Sequence, residues 1–161
     1  MSGARRAGTA GAAGLAALAL ASVLAGGCVS YSGSSFPAKV RSWATSTSLV
    51  ANNDTLVDDV ARARLALIRG TAIELRTVCS GFEADIGTAY GTLPSPSPVL
   101  TYTFNQADEA FFKAAALCAN AASLKGAGVR RALGDMEAGE RELWRAAGEL
   151  AGFGFHWVPH R

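Results

Sequence analysis

The chain has 161 residues and a formal net charge of +2, and half of its residues are hydrophobic. This length suits one domain with a buried core. Two basic side chains, Arg5 and Arg6, lie near the start, and the 134 residues after position 27 carry 13 basic and 13 acidic side chains. A body without net charge has no general attraction for nucleic acid, so we expect no nucleic-acid partner. Alanine and leucine outnumber valine and isoleucine there, which favours helices over sheet.

The first 27 residues have the pattern of an export signal. Arg5 and Arg6 precede an apolar run that begins at Leu15, and small residues follow it up to Cys28. A positively charged start, a short apolar segment and small residues before a cleavage site direct a chain to secretion. We therefore expect residues 1–27 to be a signal peptide and the mature chain to be extracytoplasmic.

The end of this segment, Leu-Ala-Gly-Gly-Cys at positions 24–28, resembles the lipobox of bacterial lipoproteins. In that family the cysteine is acylated and becomes the first residue of the mature protein. The resemblance implies that Cys28 carries a lipid, which would make the membrane a partner. The usual pattern has leucine three residues before the cysteine, where Ala25 stands here. Two alternatives remain open: an ordinary cut after Ala21 or Ala25, and an uncut anchor over residues 7–27, which are long enough to span a bilayer.

Three regions should follow the signal. Residues 28–35 are small and polar beyond the cysteine, which predicts a lipidated residue followed by a short tether. Residues 36–152 show helical periodicity and should form a helical bundle domain. Residues 153–161 should form an irregular tail, because the periodicity is broken around them by Gly152, Gly154 and Pro159.

The first two helices of the bundle are expected in residues 37–69. One should run from Pro37 to about Ala51, with Ser35 as its N-cap. Asn52-Asn53-Asp54 should break it, and a second helix should run from about Thr55 to Arg69. A single long bent helix is the alternative, which helix propensity does not decide.

The third helix has the clearest boundaries. Gly70 and the capping-box pattern from Thr71 to Glu74 predict its start, and Gly91 predicts its end after Tyr90. Apolar residues recur along it at steps of three and four, which predicts one buried face. These residues are Leu75, Val78, Cys79, Phe82, Ile86 and Ala89.

Two further helices should complete the bundle. The proline-rich residues 93–98 predict a stiff connector, with a peptide ligand for a groove as the alternative. A second capping-box pattern predicts a helix from Thr103 to about Leu124, and another helix should run from about Val129 to Leu150. The fold class is therefore all-α, an up-and-down bundle of four to five helices.

The cysteines allow a check on this bundle. If the third and fourth helices form a hairpin, Cys79 and Cys118 lie at about 18 Å and 22 Å from the connecting end, and both fall on apolar faces. We therefore predict a Cys79–Cys118 disulfide, with two buried thiols as the alternative. Acylation of Cys28 would account for the third cysteine, which is otherwise unpaired in an oxidising compartment.

The helical body also resembles a family. The pattern LPxPxPxLT at residues 93–101, followed by a capped helix and Cys118, is similar to that of small secreted helical lipoproteins of high-GC bacteria. Those proteins have no assigned activity, so the resemblance implies a fold and a location and supplies no functional residue.

Residues able to carry out catalysis or bind a metal are few. His156 and His160 have the i,i+4 spacing of helical metal ligands, but the flanking glycines and Pro159 argue against a helix, and we expect no metal site. No nucleophile elbow or phosphate-binding loop is present. Acidic pairs, Asp58-Asp59 and Glu140/Glu142, are expected on solvated faces, and Asp58 is expected to pair with an arginine four residues later.

Two surface features are ambiguous. Four arginines lie within 15 residues, and two of them, Arg62 and Arg69, are seven apart on one helical face and could contact lipid headgroups. The alternative is a set of exposed arginines balanced by the acidic last helix. In the tail, Phe153, Phe155 and Trp157 alternate, and they should either cap the open end of the bundle or contact a partner.

These observations predict a lipid-anchored protein that is not an enzyme and has no cofactor, catalytic residue or metal site. We expect it to be a binding or interaction module of the cell envelope, with an unknown envelope protein or a small apolar ligand as its partner. A structural accessory subunit is the alternative. A third hypothesis is an enzyme with an unrecognised acidic site, which a pocket with two or more inward-facing carboxylates would favour.

Overall fold

The computed structural model describes residues 34–160 of the chain, and these residues are helical without any strand. The predicted signal peptide, Cys28 and most of the predicted tether lie outside the described residues. The five helices are α1 (Phe36–Ser46), α2 (Leu49–Arg69), α3 (Ala72–Tyr90), α4 (Pro98–Ala119) and α5 (Ala127–Gly152). Among these five, none combines the length and the apolar character that a bilayer span requires.

The helices pack as an all-α bundle, as the sequence predicts. Helices α2 to α5 pack against one another in chain order, and α5 also contacts α2, while the short α1 packs against α2. At one end, here called the α1 end, the indole of Trp43 donates a hydrogen bond to the Thr92 carbonyl oxygen over 2.9 Å. At the opposite end, here called the far end, the guanidinium of Arg76 donates to the Ala121 carbonyl oxygen over 3.2 Å.

The core consists of the apolar faces of all five helices. On α3, five of the six residues of the predicted stripe are buried and Val78 is partly buried. Across the α3–α4 contact, the rings of Phe82 and Phe111 meet edge to face with their centroids 5.4 Å apart. The capping box that begins α3 is also confirmed, because the Thr71 hydroxyl accepts from the Glu74 amide over 3.2 Å and the Thr71 amide donates to the Glu74 carboxylate over 2.6 Å.

The predicted break between the first two helices is wrong in position. The chain turns at Thr47-Ser48, where Ser48 has a left-handed backbone with φ of +54°, and α2 begins at Leu49. Asn53 lies inside α2 and is buried, and its side-chain amide donates to the Leu49 carbonyl oxygen over 2.9 Å. This bond to the preceding turn lets a polar residue stay within the helix.

The predicted start of the fourth helix is also wrong. Helix α4 begins at Pro98, five residues before Thr103, with Ser97 as its N-cap, and ends at Ala119. Proline fits the first turn because the amide hydrogen that it lacks has no partner there. Thr103 is buried within the helix, and its hydroxyl lies 3.1 Å from the Val99 carbonyl oxygen and 3.0 Å from the Glu149 carboxylate of α5.

The predicted disulfide joins α3 to α4. Cys79 and Cys118 are bonded, their Cα atoms are 5.9 Å apart, and both residues are buried in the core. The bond confirms that these two helices form a hairpin with the cysteines at the same height.

We expect Gly139→Ala to destabilise the fold, because α4 and α5 approach closely at this position. A Cβ atom on Gly139 would lie 2.4 Å from the ring of Phe111, which is itself fully buried. Overpacking of this kind lowers the free energy of unfolding by about 1–3 kcal/mol, measurable by urea unfolding. Gly134→Ala on the same helix is the matched control, since nothing lies within 4 Å of its Cβ position. It should stabilise the helix by up to about 1 kcal/mol, and equal effects of the two variants would contradict the prediction.

Candidate functional site

Asp108 is a buried carboxyl group in the middle of α4. It lies four residues after Phe104 and three before Phe111, so it shares the buried face of the helix and is only 2% exposed. Its Oδ1 atom is buried without a hydrogen-bond partner, and so is the Oδ1 atom of Asn105, one turn earlier. An unsatisfied buried polar group costs about 1–3 kcal/mol. These two acceptors therefore mark a place where a hydrogen-bond donor from a ligand would be stabilised.

Both side chains line a surface groove of about 430 Å³ between α4 and the end of α3. Two aromatic residues border it, Tyr90 at 53% exposure and Phe112 at 36% exposure. The remaining lining residues are Glu109 and Lys113, which form an exposed i,i+4 ion pair at 2.7 Å. The groove, here called the Asp108 groove, thus combines two buried oxygen acceptors with two aromatic surfaces.

Burial controls the protonation of Asp108. Loss of hydration disfavours its charged form and raises its pKa to about 7. At neutral pH the carboxyl group is therefore close to half protonated. A cation bound in the groove would favour the ionised form, since an opposite charge nearby lowers the pKa of a carboxyl group.

Asp59 provides a second buried carboxyl group, which corrects a sequence prediction. Asp58 is exposed as expected, but Asp59 of α2 is buried and lies beside Asp85 of α3. Burial, opposed by the charge of Arg62 and reinforced by the neighbouring Asp85, raises the pKa of Asp59 to about 6. Arg62 forms its ion pair with Asp59 and not, as predicted, with Asp58. Asp59 does not line the Asp108 groove.

A second groove of about 390 Å³ lies between α2, α5 and the tail. Arg64 on its wall makes two hydrogen bonds, of 2.8 Å and 2.7 Å, to the Glu140 carboxylate. His160 lies at its edge, 3.1 Å from the Asp58 carboxylate and 3.5 Å from that of Asp54. These charged groups are thus engaged by the chain's own side chains, which makes this groove the weaker candidate for a ligand.

The C-terminal tail covers the α1 end of the bundle, which confirms one of the two predicted alternatives. Trp157 is buried against the ring of Phe104, with the ring centroids 6.5 Å apart, and its indole donates to the Asp54 carboxylate over 3.0 Å. Phe153 packs edge to face against Phe36 at 5.6 Å, and Phe155 is partly buried. His156 is exposed. Over residues 34–160, no group of three or more His, Cys, Asp or Glu side chains is placed to hold a metal ion.

The arginines do not form one free basic surface. Arg62 pairs with Asp59, Arg64 pairs with Glu140 of α5, and Arg76 donates to a backbone carbonyl of the α4–α5 connection. Arg69 is exposed at the far end, in the last turn of α2. The Arg64–Glu140 pair fits the predicted alternative in which acidic residues of the last helix balance the charge of the arginines. Headgroup contact by Arg62 and Arg69 stays a prediction.

Asn105 and Asp108 are not among the site residues predicted from the sequence, although the sequence contains a signal for Asp108. Phe104, Ala107 and Phe111 recur in the sequence at the spacing of one helical face, and Asp108 lies within that face. A charged residue at an inward position is rare without a partner, so this register could have marked the site.

Comparisons with models of known protein families, with curated proteins and with solved structures give no match to this chain.

Proposed function

We propose that the chain is a lipid-anchored, extracytoplasmic binding module of the cell envelope and has no enzymatic activity. The observation that carries this proposal is the Cys79–Cys118 disulfide buried in the core. Structural disulfides form and persist in oxidising compartments and are rare in the cytosol. The export pattern of residues 1–27 points to the same location.

The cysteine count supports an anchor at Cys28. The chain has three cysteines, and two of them are bonded to each other. The remaining one follows the lipobox-like residues 24–27, where acylation would account for it. A tether of about seven residues would keep Phe36 within roughly 25 Å of the membrane. The α1 end would then be the nearer one, and contact of Arg69 with headgroups would require the bundle to lie along the membrane.

The Asp108 groove supports binding more than catalysis. Its one buried carboxyl group is Asp108, while Glu109 is exposed and paired with Lys113. Acid–base catalysis by two carboxyl groups needs both of them at the reacting centre. The packed core, closed by the disulfide, favours a module that folds by itself over a subunit that needs a partner to fold. A ligand or an envelope protein would bind at the Asp108 groove.

Mass spectrometry of the processed N-terminus tests the anchor. We expect the protein purified from bacterial membranes to begin at Cys28 and to carry acyl chains on it. A Cys28→Ser variant, which keeps the other residues of the signal, should lose the acyl chains and the membrane association. An unmodified N-terminus after Ala21 or Ala25, or an intact precursor in the cytosol, would contradict the proposal.

A further inference from the structure

We propose that the Asp108 groove binds a primary alkylammonium group, such as the ammonium group of a lysine side chain or of a small primary amine. This inference rests on the proposed binding function and names the chemistry of the ligand. It does not depend on the lipid anchor.

The first argument comes from hydrogen bonding. Among the residues that line the groove, Asp108 and Asn105 each have a buried Oδ1 atom without a hydrogen-bond partner, and these two acceptors lie one turn apart on α4. A ligand that satisfies both must bring at least two donors. An ammonium group has three N–H donors and no acceptor, so its hydrogen-bonding groups complement both oxygens without placing an acceptor against another acceptor.

The second argument comes from charge. Within the groove, Glu109 and Lys113 are paired at 2.7 Å and compensate each other's charge, so the ionised form of Asp108 is the one charge of the groove without compensation. A cation bound beside the ionised carboxylate would remove the penalty of its burial, and a hydrogen bond between charged groups is stronger than a neutral one. A neutral alcohol could donate a hydrogen bond but could not compensate the charge.

The third argument comes from the aromatic residues. Tyr90 ends α3 and Phe112 follows Asp108 by one turn of α4, and both line the groove with exposed ring surface. Aromatic faces attract cations and also pack against alkyl groups. The site thus offers acceptors for the ammonium head and apolar surface for the carbon atoms next to it.

Binding should depend on pH. The titratable side chains that line the groove with Asp108 are Tyr90 from α3 and Glu109 and Lys113 from α4, and no residue of α5 lines it. Because the ammonium ion prefers the ionised carboxylate, affinity should rise as the pH increases from about 6 to 8. A site without Asp108 would show no such rise.

Calorimetric titration of the processed protein in a non-ionic detergent, with n-butylammonium chloride as the probe, tests the inference. We expect saturable binding at pH 8, with affinity reduced about tenfold or more in Asp108→Asn, since hydrogen bonds to charged groups are stronger than those to neutral groups. Glu83→Gln is the control, because it removes one exposed carboxylate of α3 outside the groove and should leave the affinity unchanged. Butanol and tetramethylammonium, which lack the charge and the N–H donors respectively, should bind at least tenfold more weakly.

Three results would overturn the inference: no saturable binding of butylammonium by the wild-type protein, equal affinity in Asp108→Asn, or equal affinity for either comparison ligand. None of these bears on the acyl chains at Cys28, which mass spectrometry measures separately. Failure of the ligand assignment can therefore be told apart from failure of the anchor.

Discussion

Replacing both Cys79 and Cys118 by alanine should lower the free energy of unfolding by about 4 kcal/mol. The bond closes a loop with a sequence separation of 39 residues between α3 and α4. A cross-link of this span restricts the unfolded chain, and the loss of that restriction accounts for the expected effect. Both positions are buried, so alanine is preferable to serine, whose hydroxyl would need a partner in the core. Urea unfolding of the oxidised protein and of the double variant measures the difference.

Reduction provides the control for this prediction. A thiol reductant should destabilise the wild-type protein by most of the same amount and should leave the double variant unchanged. An unfolding midpoint of the double variant equal to that of the oxidised protein would contradict the prediction. Persistence of the wild-type midpoint in reductant, with the bond shown to be broken, would contradict it as well.

Local sequence signals were sufficient where a helix is delimited by its own residues. Helix α3 was predicted almost to the residue, because Thr71 and Glu74 cap each other and Gly91 follows its last turn. The cysteine pair was predicted because, in a hairpin of two helices, residues at similar distances from the connection lie beside each other when both are on the facing apolar surfaces. Both signals depend on contacts near in sequence or on simple helical geometry.

The errors arose where a residue that matches a helix boundary in sequence makes its hydrogen bonds inside a helix instead. Thr103 matches a capping residue, but the α5 carboxylate of Glu149 holds it inside the bundle, and Ser97-Pro98 begins the helix instead. Asn53 matches a helix breaker, but its amide bonds within α2. The inward register of Asp108 was a usable signal, but the outline of the Asp108 groove could not be predicted because it depends on where Tyr90 of α3 lies against α4.

Asp108→Asn should stabilise the protein at pH 8 by about 2–4 kcal/mol and have little effect at pH 4. The pKa of Asp108 is about 7 in the folded protein against an ordinary value of 3.8, so between these pH values the folded state holds a proton that the unfolded state has released. The stability linked to this proton is fully present below about pH 4 and is lost as the pH rises through 7. One pKa unit corresponds to about 1.4 kcal/mol, so the difference between 3.8 and about 7 limits the stabilisation to roughly 4 kcal/mol.

Urea unfolding at pH 4, 6 and 8 measures this dependence. The wild-type protein should become less stable as the pH rises, and Asp108→Asn should have a flatter profile. Some dependence should remain from Asp59, whose pKa is raised to about 6 in the same direction. Glu83→Gln, an exposed change, should keep the wild-type slope, and an unchanged slope in Asp108→Asn would contradict the prediction. A variant that is more stable at pH 8 but binds butylammonium more weakly would mean that the buried carboxyl group is retained for a ligand at the expense of stability.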